Sequence, residues 1–361
     1  MKNSLLTIAL LISAGALSQT LYQENFNTLN LGNLNENVAG TAAGQGNWYS
    51  IIGTESDNTS PTNFSIINSP TDASNKVLSI TGSSNAGGSR QIAQLGLTTA
   101  WTSRTAGNDI IEVEFDFYTG AASSSLNSFR VTIFNGDTTP KILGAIGITK
   151  NYTLNSQVHT NLTQGFSYWT AGPGTGNYVF NDLGPEFSAP VSLPDNTWVH
   201  FGLSFNKTTG AIKFKDSYNN LNATFQGTEQ WPVITAGMDP AALYVQAISG
   251  TGNTASAVGI FDNFVVKATN TDTLLNNAQF ETISSIISIY PNPVQDLLNI
   301  KVASGTIENL QLIDMTGKII KEIQGSQNNV ETIPVQDLQS GIYFVNIQTE
   351  MGTQNHKFIK E

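Results

Sequence analysis

The sequence contains no cysteine. That absence removes disulfides, zinc–thiolate centres and cysteine nucleophiles together, so whatever fold forms must be held by its core. Charge is scarce as well: 12% of the 361 residues carry it, and the formal net charge is −11. Arginine occurs only at Arg90, Arg104 and Arg130, and no basic stripe is visible, which excludes a nucleic-acid partner and an anionic membrane surface. His159, His200 and His356 are too scattered for a triad or metal cluster, and His200, in a core-like strand, reads as structural. No long stretch has helical spacing. Beyond the N-terminus nothing is long and apolar enough to span a bilayer.

What is present begins with "MKNSLLTIALLISAGALSQT": a basic Lys2, an apolar run from Leu5 to Ile12, and small residues at Ala16 and Ser18. This is the pattern of a secretory signal peptide over residues 1–18, cleaved between Ser18 and Gln19, with an apolar run too short for a membrane anchor. With no cysteine at the cleavage point, lipoprotein anchoring is excluded. The mature chain is expected to be soluble, exported and without a transmembrane segment.

Residues 19–267 read as short strands divided by turn residues. "IIEVEFDFY" (Ile110–Tyr118), "SFRVTIFN" (Ser128–Asn135), "WVHFGLSF" (Trp198–Phe205) and "IFDNFVV" (Ile260–Val266) alternate with the period of two that a half-buried strand requires. "NGDTTP" and "NKTTG" supply turn chemistry between such runs. "GPGTGNYVF", Gly172–Phe180, leads into aromatic and β-branched residues rather than a helix, so it is a loop and not a phosphate cradle. Many antiparallel strands in one block predict an all-β sandwich or jelly roll, and roughly 250 residues suffice to bury its core without disulfides.

Within this region "LPDNTWVHFGLSFNKTTGAIKFK", Leu193–Lys215, resembles the laminin G-like and concanavalin A-like lectin/glucanase group through Trp198, His200, Asn206 and Gly210. "ENFNTLNLGNL", Glu24–Leu34, with Trp48 downstream, and "FDNFVV", Phe261–Val266, resemble the paired first and last strands of such domains. The resemblance implies a concanavalin-like jelly-roll β-sandwich over residues 19–267 and says little about its ligand.

A polar stretch, "ATNTDTLLNNAQFETISS", is expected as a linker over residues 268–285. Its Asp272-Thr273-Leu274 resembles sites that some Bacteroidetes O-glycosylate, and reads equally as ordinary linker. Next comes "SIYPNPVQDLLNIKV", Ser288–Val302, where Pro291 and Pro293 fix their own φ and push Tyr290 and Asn292 toward extended backbone. The segment is a stiff lead-in to a strand in which Leu298, Ile300 and Val302 alternate with Asn299 and Lys301. Asp314 and Gly317, just before Lys318, suit positions i and i+3 of a type I turn. "SGIYFVNI", with Gly341 and Tyr343, and a closing "KFIK" complete the order. Together these motifs resemble the type A C-terminal sorting domain of the type IX secretion system of Bacteroidetes; a generic immunoglobulin-like module is the plainer reading. The resemblance implies a small immunoglobulin-like β-sandwich over residues 286–361 that the type IX machinery recognises after Sec export and folding in the periplasm. The protein would then be secreted or held at the outer cell surface, for instance on surface lipopolysaccharide.

Three sets of residues carry candidate chemistry. On a strand, Glu112, Glu114 and Asp116 share one face, opposite Val113, Phe115 and Phe117. Retaining glucanases of the resembled fold use such a row, but as E-x-D-x-E or E-x-D-x-x-E, whereas this chain has E-x-E-x-D. Retaining chemistry needs carboxyl groups roughly 5–5.5 Å apart, while strand neighbours two apart lie about 7 Å apart at the ~3.3–3.4 Å rise. The row reads equally as a solvated outer face. Tyr168, Trp169 and Tyr178 flank the Gly-rich loop and could stack on sugars or fill the core. Glu24 and Asp262, on the first and last strands, could hold Ca²⁺; no other cofactor is required. The expected function is a glycan-binding or adhesive module rather than an enzyme. A polysaccharide-degrading hydrolase or lyase, and a structural surface protein without a small ligand, are the alternatives.

Overall fold

The structure, a computed structural model, describes residues 18–169, 176–227, 235–275, 287–302, 306–314, 318–325, 328–349 and 352–361. Leader residues 1–17, residues 276–286 and the Gly317 of the expected turn lie outside the described residues. By contact the chain divides into two compact units, Met1–Asn276 and Asn277–Glu361. No described helix is long and apolar enough to cross a membrane.

The first unit runs β1 (Gln19–Glu24), β2 (Gly32–Asn33), β3 (Ala39–Ala43), β4 (Tyr49–Ile52), β5 (Phe64–Asn68), β6 (Lys76–Thr81) and β7 (Ser89–Gln94). After a short helix, α1 (Leu97–Thr102), come β8 (Ile110–Tyr118), β9 (Asn127–Asn135), β10 (Ile142–Leu154), β11 (Gln157–Trp169) and β12 (Gly176–Phe180). It ends with β13 (Val191–Ser192), β14 (Trp198–Asn206), β15 (Ile212–Asp216), β16 (Leu221–Phe225), β17 (Pro240–Ser249) and β18 (Val258–Thr269). One antiparallel sheet has the order β16-β15-β14-β8-β18-β6-β5-β2, with β1 also on β18. The other has the order β12-β11-β10-β9-β17-β7-β4-β3, with β13 on β11. This is the jelly-roll sandwich.

Period-two alternation sorts the residues. Val113, Phe115 and Phe117 of β8 and Phe201, Leu203 and Phe205 of β14 meet Phe129, Val131 and Ile133 of β9 and Ile146 and Ile148 of β10 in one core. Phe115 stacks on Phe201 at 5.4 Å and on Phe264 at 5.6 Å. Each such buried ring contributes about 1.5–3 kcal/mol, enough in sum to replace the missing disulfides. The first and last strands do pair, Glu24 facing Phe264, and Trp48 packs on Phe26 and Phe264. A bulge between Asp262 and Val265, where Asn263 has φ 56°, divides β18: its first half pairs with β6, its second with β1.

The expected linker begins too early. β18 continues to Thr269, and a short turn at Thr273–Leu275 lies against the sandwich with Leu274 only 3% exposed. Residues 268–275 therefore belong to the first unit. Their polarity, read as solvation, serves instead to pair with polar groups on β8, β14 and β15.

The second unit has β19 (Ile287–Tyr290), β20 (Leu297–Val302), β21 (Ile307–Ile313), β22 (Ile319–Gln324), β23 (Val330–Pro334), β24 (Gly341–Thr349) and β25 (Gly352–Lys360). Sheets β19-β20-β23 and β22-β21-β24-β25 enclose their own core of Leu298, Ile300, Val302, Leu310, Leu312, Val345, Ile347 and Phe358. The Pro-Asn-Pro stretch is a connection rather than a simple lead-in: Tyr290 already ends a strand paired to Asn299. Between the prolines, Asn292 accepts from Ile359 N at 2.9 Å and donates to Lys357 O at 3.3 Å, tying the corner of one sheet to the last strand of the other. Asp314 N donates to Lys318 O at 3.0 Å across the β21–β22 connection.

Candidate functional site

β8 places Glu112, Glu114 and Asp116 on the face away from the core, as its alternation requires, but their surroundings close the row rather than open it. Glu112 is 0% exposed. Its carboxylate accepts from Thr273 N at 2.5 Å, from the Thr273 hydroxyl and from Thr269 Oγ1 at 3.3 Å. Burial pushes its carboxyl above the ordinary range, and the bonds from Thr273 offset part of that rise. Asp272 is held by Lys213 Nζ at 2.6 Å and Ser204 Oγ at 2.8 Å, so residues 272–274 form a strap over this end of the row.

His200 of β14 faces Asp116 across the strand pair and sits between Asp116 and Glu114. Nδ1 is 2.6 Å from Asp116 and Nε2 is 3.3 Å from Glu114. Burial alone would lower the imidazole, but the hydrogen bonds to Asp116 and Glu114 outweigh it and carry it up to about 9. Glu114, which burial would raise, is held below the usual carboxylate range by His200 and by Lys267, whose Nζ is 3.4 Å away. With both ring nitrogens bonded, His200 engages two of the carboxylates that glycoside hydrolysis would need free. His200 is thus neither a plain core histidine nor a base open to substrate.

The other two candidate sets also rearrange. Glu24 caps Phe26 N at 2.7 Å. Asp262 is nearly enclosed, accepts from Asn75 Nδ2 at 2.8 Å, and is pushed up to about 7 by burial. Among the described residues no three His, Asp or Glu side chains converge to hold a metal ion. Trp169 does not offer a ring to solvent. It is 4% exposed and lies between Tyr178, stacked at 4.0 Å and 7°, and Phe225 at 5.5 Å and 16°. Tyr178 is the exposed outer ring of that stack, and loop residues 170–175 lie outside the described residues.

Tyr168 points the other way, with Phe166 and Gln164, onto the outer face of the second sheet. That face holds a set of residues the sequence did not single out. One row runs straight across it by register: Gln91 of β7, Gln246 of β17, Arg130 of β9, Gly147 of β10 and Gln164 of β11. The next row carries Tyr244, Thr132, Ala145 and Phe166. Hydrogen bonds fix the amides. Gln246 Oε1 accepts from Thr132 Oγ1 at 2.7 Å, and its Nε2 donates to Gln91 Oε1 at 2.7 Å. Gln164 accepts from Thr149 Oγ1 and donates to Asn181 Oδ1, both at 2.5 Å. Phe134 meets Tyr244 edge-on at 5.1 Å, and both rings are half-exposed, as is Tyr168. The one available signal was Arg130 alternating with Ser128, Thr132 and Phe134 in "SFRVTIF". Its partner Gln246 lies 116 positions away and binds Gln91 across 155, which no local pattern reveals.

Residues 288–361 match the family described as secretion system C-terminal sorting domain. The type IX sorting tail expected from residue 286 onward is present there, and it marks the chain for export, to the medium or to the outer cell surface. No curated protein matches the chain. Among solved structures, the chain is similar to the non-specific endo-β-1,3(4)-glucanase SCLam of family GH16, at 12% identity, covering 69% of this chain and 91% of that one, TM-score 0.42. It is similar to the endo-1,3-β-glucanase of Streptomyces sioyaensis at 12% identity, covering 69% and 96%, TM-score 0.39. The CBM2 module of the evolved Dit of Lactobacillus casei BL23 phage J-1 is similar at 11% identity, covering 71% and 98%, TM-score 0.36.

Proposed function

We propose that the protein is an exported glycan-binding module whose ligand lies on the outer face of the second sheet of its jelly roll. One observation carries this reading: half-buried Tyr168, Tyr244 and Phe134 share that face with the half-buried amide of Gln91, which the buried Gln246 holds in place. Sugars present apolar C–H faces and hydroxyl edges. Rings accept the first and oriented amides the second, and both are set on rigid strands rather than on loops. The carboxylate row supports no rival of equal weight, because its groups are already bonded to His200, Thr273 and Lys267.

Export in this reading starts from a leader cleaved between Ser18 and Gln19. Gln19, the residue after the expected cleavage point, opens β1 opposite Ala268. A bacterium of the Bacteroidetes is the expected source.

The test is a panel of immobilised glycans probed with the folded chain and with Tyr244→Ala. Binding to at least one glycan, lost or weakened roughly tenfold in the variant, is the expected result, in line with the ~1.4 kcal/mol that a tenfold change represents. Silence across the panel would sink the reading and leave a structural surface protein.

A further inference from the structure

The chain has three arginines, and the sandwich treats them differently. Arg90 pairs with Asp57, and Arg104 pairs with Asp109. Arg130 has no such partner: among the described residues no carboxylate lies within ion-pairing distance of it. Its position is nevertheless recessed, at the middle of the second sheet, between Gly147 and Gln246. Burial pulls its guanidinium down to about 10 with no compensating charge beside it. A recessed cation without a counter-ion is a standing cost to the fold, in a protein whose net charge of −11 offers acids in abundance elsewhere.

The side chain is held ready in spite of that. Nε donates to Gln246 Oε1 at 3.2 Å, and Gln246 is itself fixed by Thr132 and Gln91. The guanidinium lies 4.4 Å over the Phe166 ring, a cation–π contact that sets its plane. Gly147 lets the strands approach: a Cβ there would stand 2.5 Å from Arg130 Cα and 2.7 Å from its Cβ. Gln91, Thr132, Thr149, Gln164 and Gln246 beside it are all neutral, and Lys141, whose Nζ lies 6.0 Å over the Tyr168 ring, is paired with Asp137. With Nε committed to Gln246, what remains is the edge formed by the two Nη groups. Two parallel N–H donors on that edge match two oxygens of one carboxylate or sulfate.

We propose that Arg130 receives the anionic group of an acidic saccharide, carboxylate or sulfate, bound across the outer face of the second sheet. This rests on the glycan-binding reading and narrows it to acidic sugars. Tyr244, Phe134 and Tyr168 supply ring contacts to the neighbouring residues of the saccharide, and Gln91, the half-buried amide of the row, bonds its hydroxyls. Arg130 sets the register.

The experiment is calorimetric titration of the full chain with oligogalacturonate, a sulfated galactan oligosaccharide that carries no uronic acid, and a neutral β-glucan oligosaccharide of matched length. Three proteins are compared: wild type, Arg130→Gln and Gln246→Glu. At least one acidic ligand should bind roughly tenfold or more tightly than the neutral one, as a charge-assisted bond implies, with affinity falling as salt rises. Which acidic ligand binds tells carboxylate from sulfate. Arg130→Gln should lose that preference while its melting temperature stays level or rises, because an uncompensated cation is removed. Gln246→Glu gives Arg130 an internal partner, so it should melt no lower than wild type and still lose the acidic ligand. This second variant keeps the question open to test if the first does not fold. Neutral ligand bound as tightly as acidic, with both variants unaffected, overturns the assignment to Arg130 and leaves the glycan reading standing. No binding by any of the three ligands overturns the assignment to Arg130, and the glycan reading falls with it only where the wider glycan panel is silent as well.

Discussion

The backbone amide of Thr273 donates to the buried carboxylate of Glu112 at 2.5 Å, across 161 residues of chain. Glu112 stood first in the expected catalytic row and Thr273 in the expected linker. Each explains the other: the strap satisfies a carboxylate that burial would otherwise penalise, and the carboxylate anchors the strap.

Truncation tests that relationship. A chain ending at Asn276 should melt with the intact first unit, whereas one ending at Lys267 loses the pairing at Glu112, Lys213 and Ser204. Leaving these buried groups unsatisfied costs about 1–3 kcal/mol each, so the shorter chain should unfold at clearly lower denaturant. Equal midpoints for the two chains would return residues 268–275 to the linker. The Thr273 hydroxyl, engaged with Glu112, should also resist O-glycosylation, which intact-mass measurement of the exported protein can check.

His200 predicts a pH dependence. Its folded value of about 9 lies above the ordinary 6.5. The native state then holds more protons than the unfolded one between those values. The contribution is full below pH 6.5 and is lost as pH rises toward 9. Asp262, raised from 3.8 to about 7, acts in the same direction at lower pH: its neutral form suits the fold, so stability falls as pH rises from 3.8 to 7. The unfolding free energy should therefore decline from pH 6.5 to 9, by on the order of 3 kcal/mol from His200 alone. His200→Gln should flatten that slope.

Trp169→Ala should act on stability before it acts on any ligand. The ring lies between Tyr178 and Phe225 in the core, and truncating a buried aromatic costs about 3–5 kcal/mol. The expected result is a large fall in melting temperature. A variant with unchanged stability but altered glycan binding would contradict the packing described.

For the sorting tail, cell fractionation gives the readout. Deleting residues 286–361 should leave the jelly roll folded in the periplasm, because the two units have separate cores. Asn292→Ala removes the bonds to Ile359 and Lys357 and should lower the stability of the tail by about 1–2 kcal/mol. Cargo reaching the surface or medium without the tail would count decisively against its role as an address.

Much of the architecture was legible because strand alternation is a local property. "EVEFDF" announced which of its side chains face the core, and Phe115 and Phe117 lie there. The "SGIYFVNI" strand was readable for the same reason, whereas the Pro-Asn-Pro stretch, read as a lead-in, is a connection that follows a strand already paired to Asn299. Charge partners were not, since Asp116, Asp262, Asn263 and His200 meet only through sheet register, and one strand cannot disclose what lies beside it. Trp169 illustrates the same limit: an aromatic beside a Gly-rich loop looks identical in sequence whether its ring faces solvent or Phe225.

By itself the sequence determined that the chain is all-β, that it ends in a sorting tail, and that its core must hold without covalent help. Those properties follow from residue type and short-range spacing. Only the tertiary structure decided that the carboxylate row is closed by residues 272–274, and that Arg130, among the described residues, stands without a carboxylate on a ring-lined face. Both depend on which strands become neighbours, and that pairing is fixed by the packing of two whole sheets rather than by any one segment.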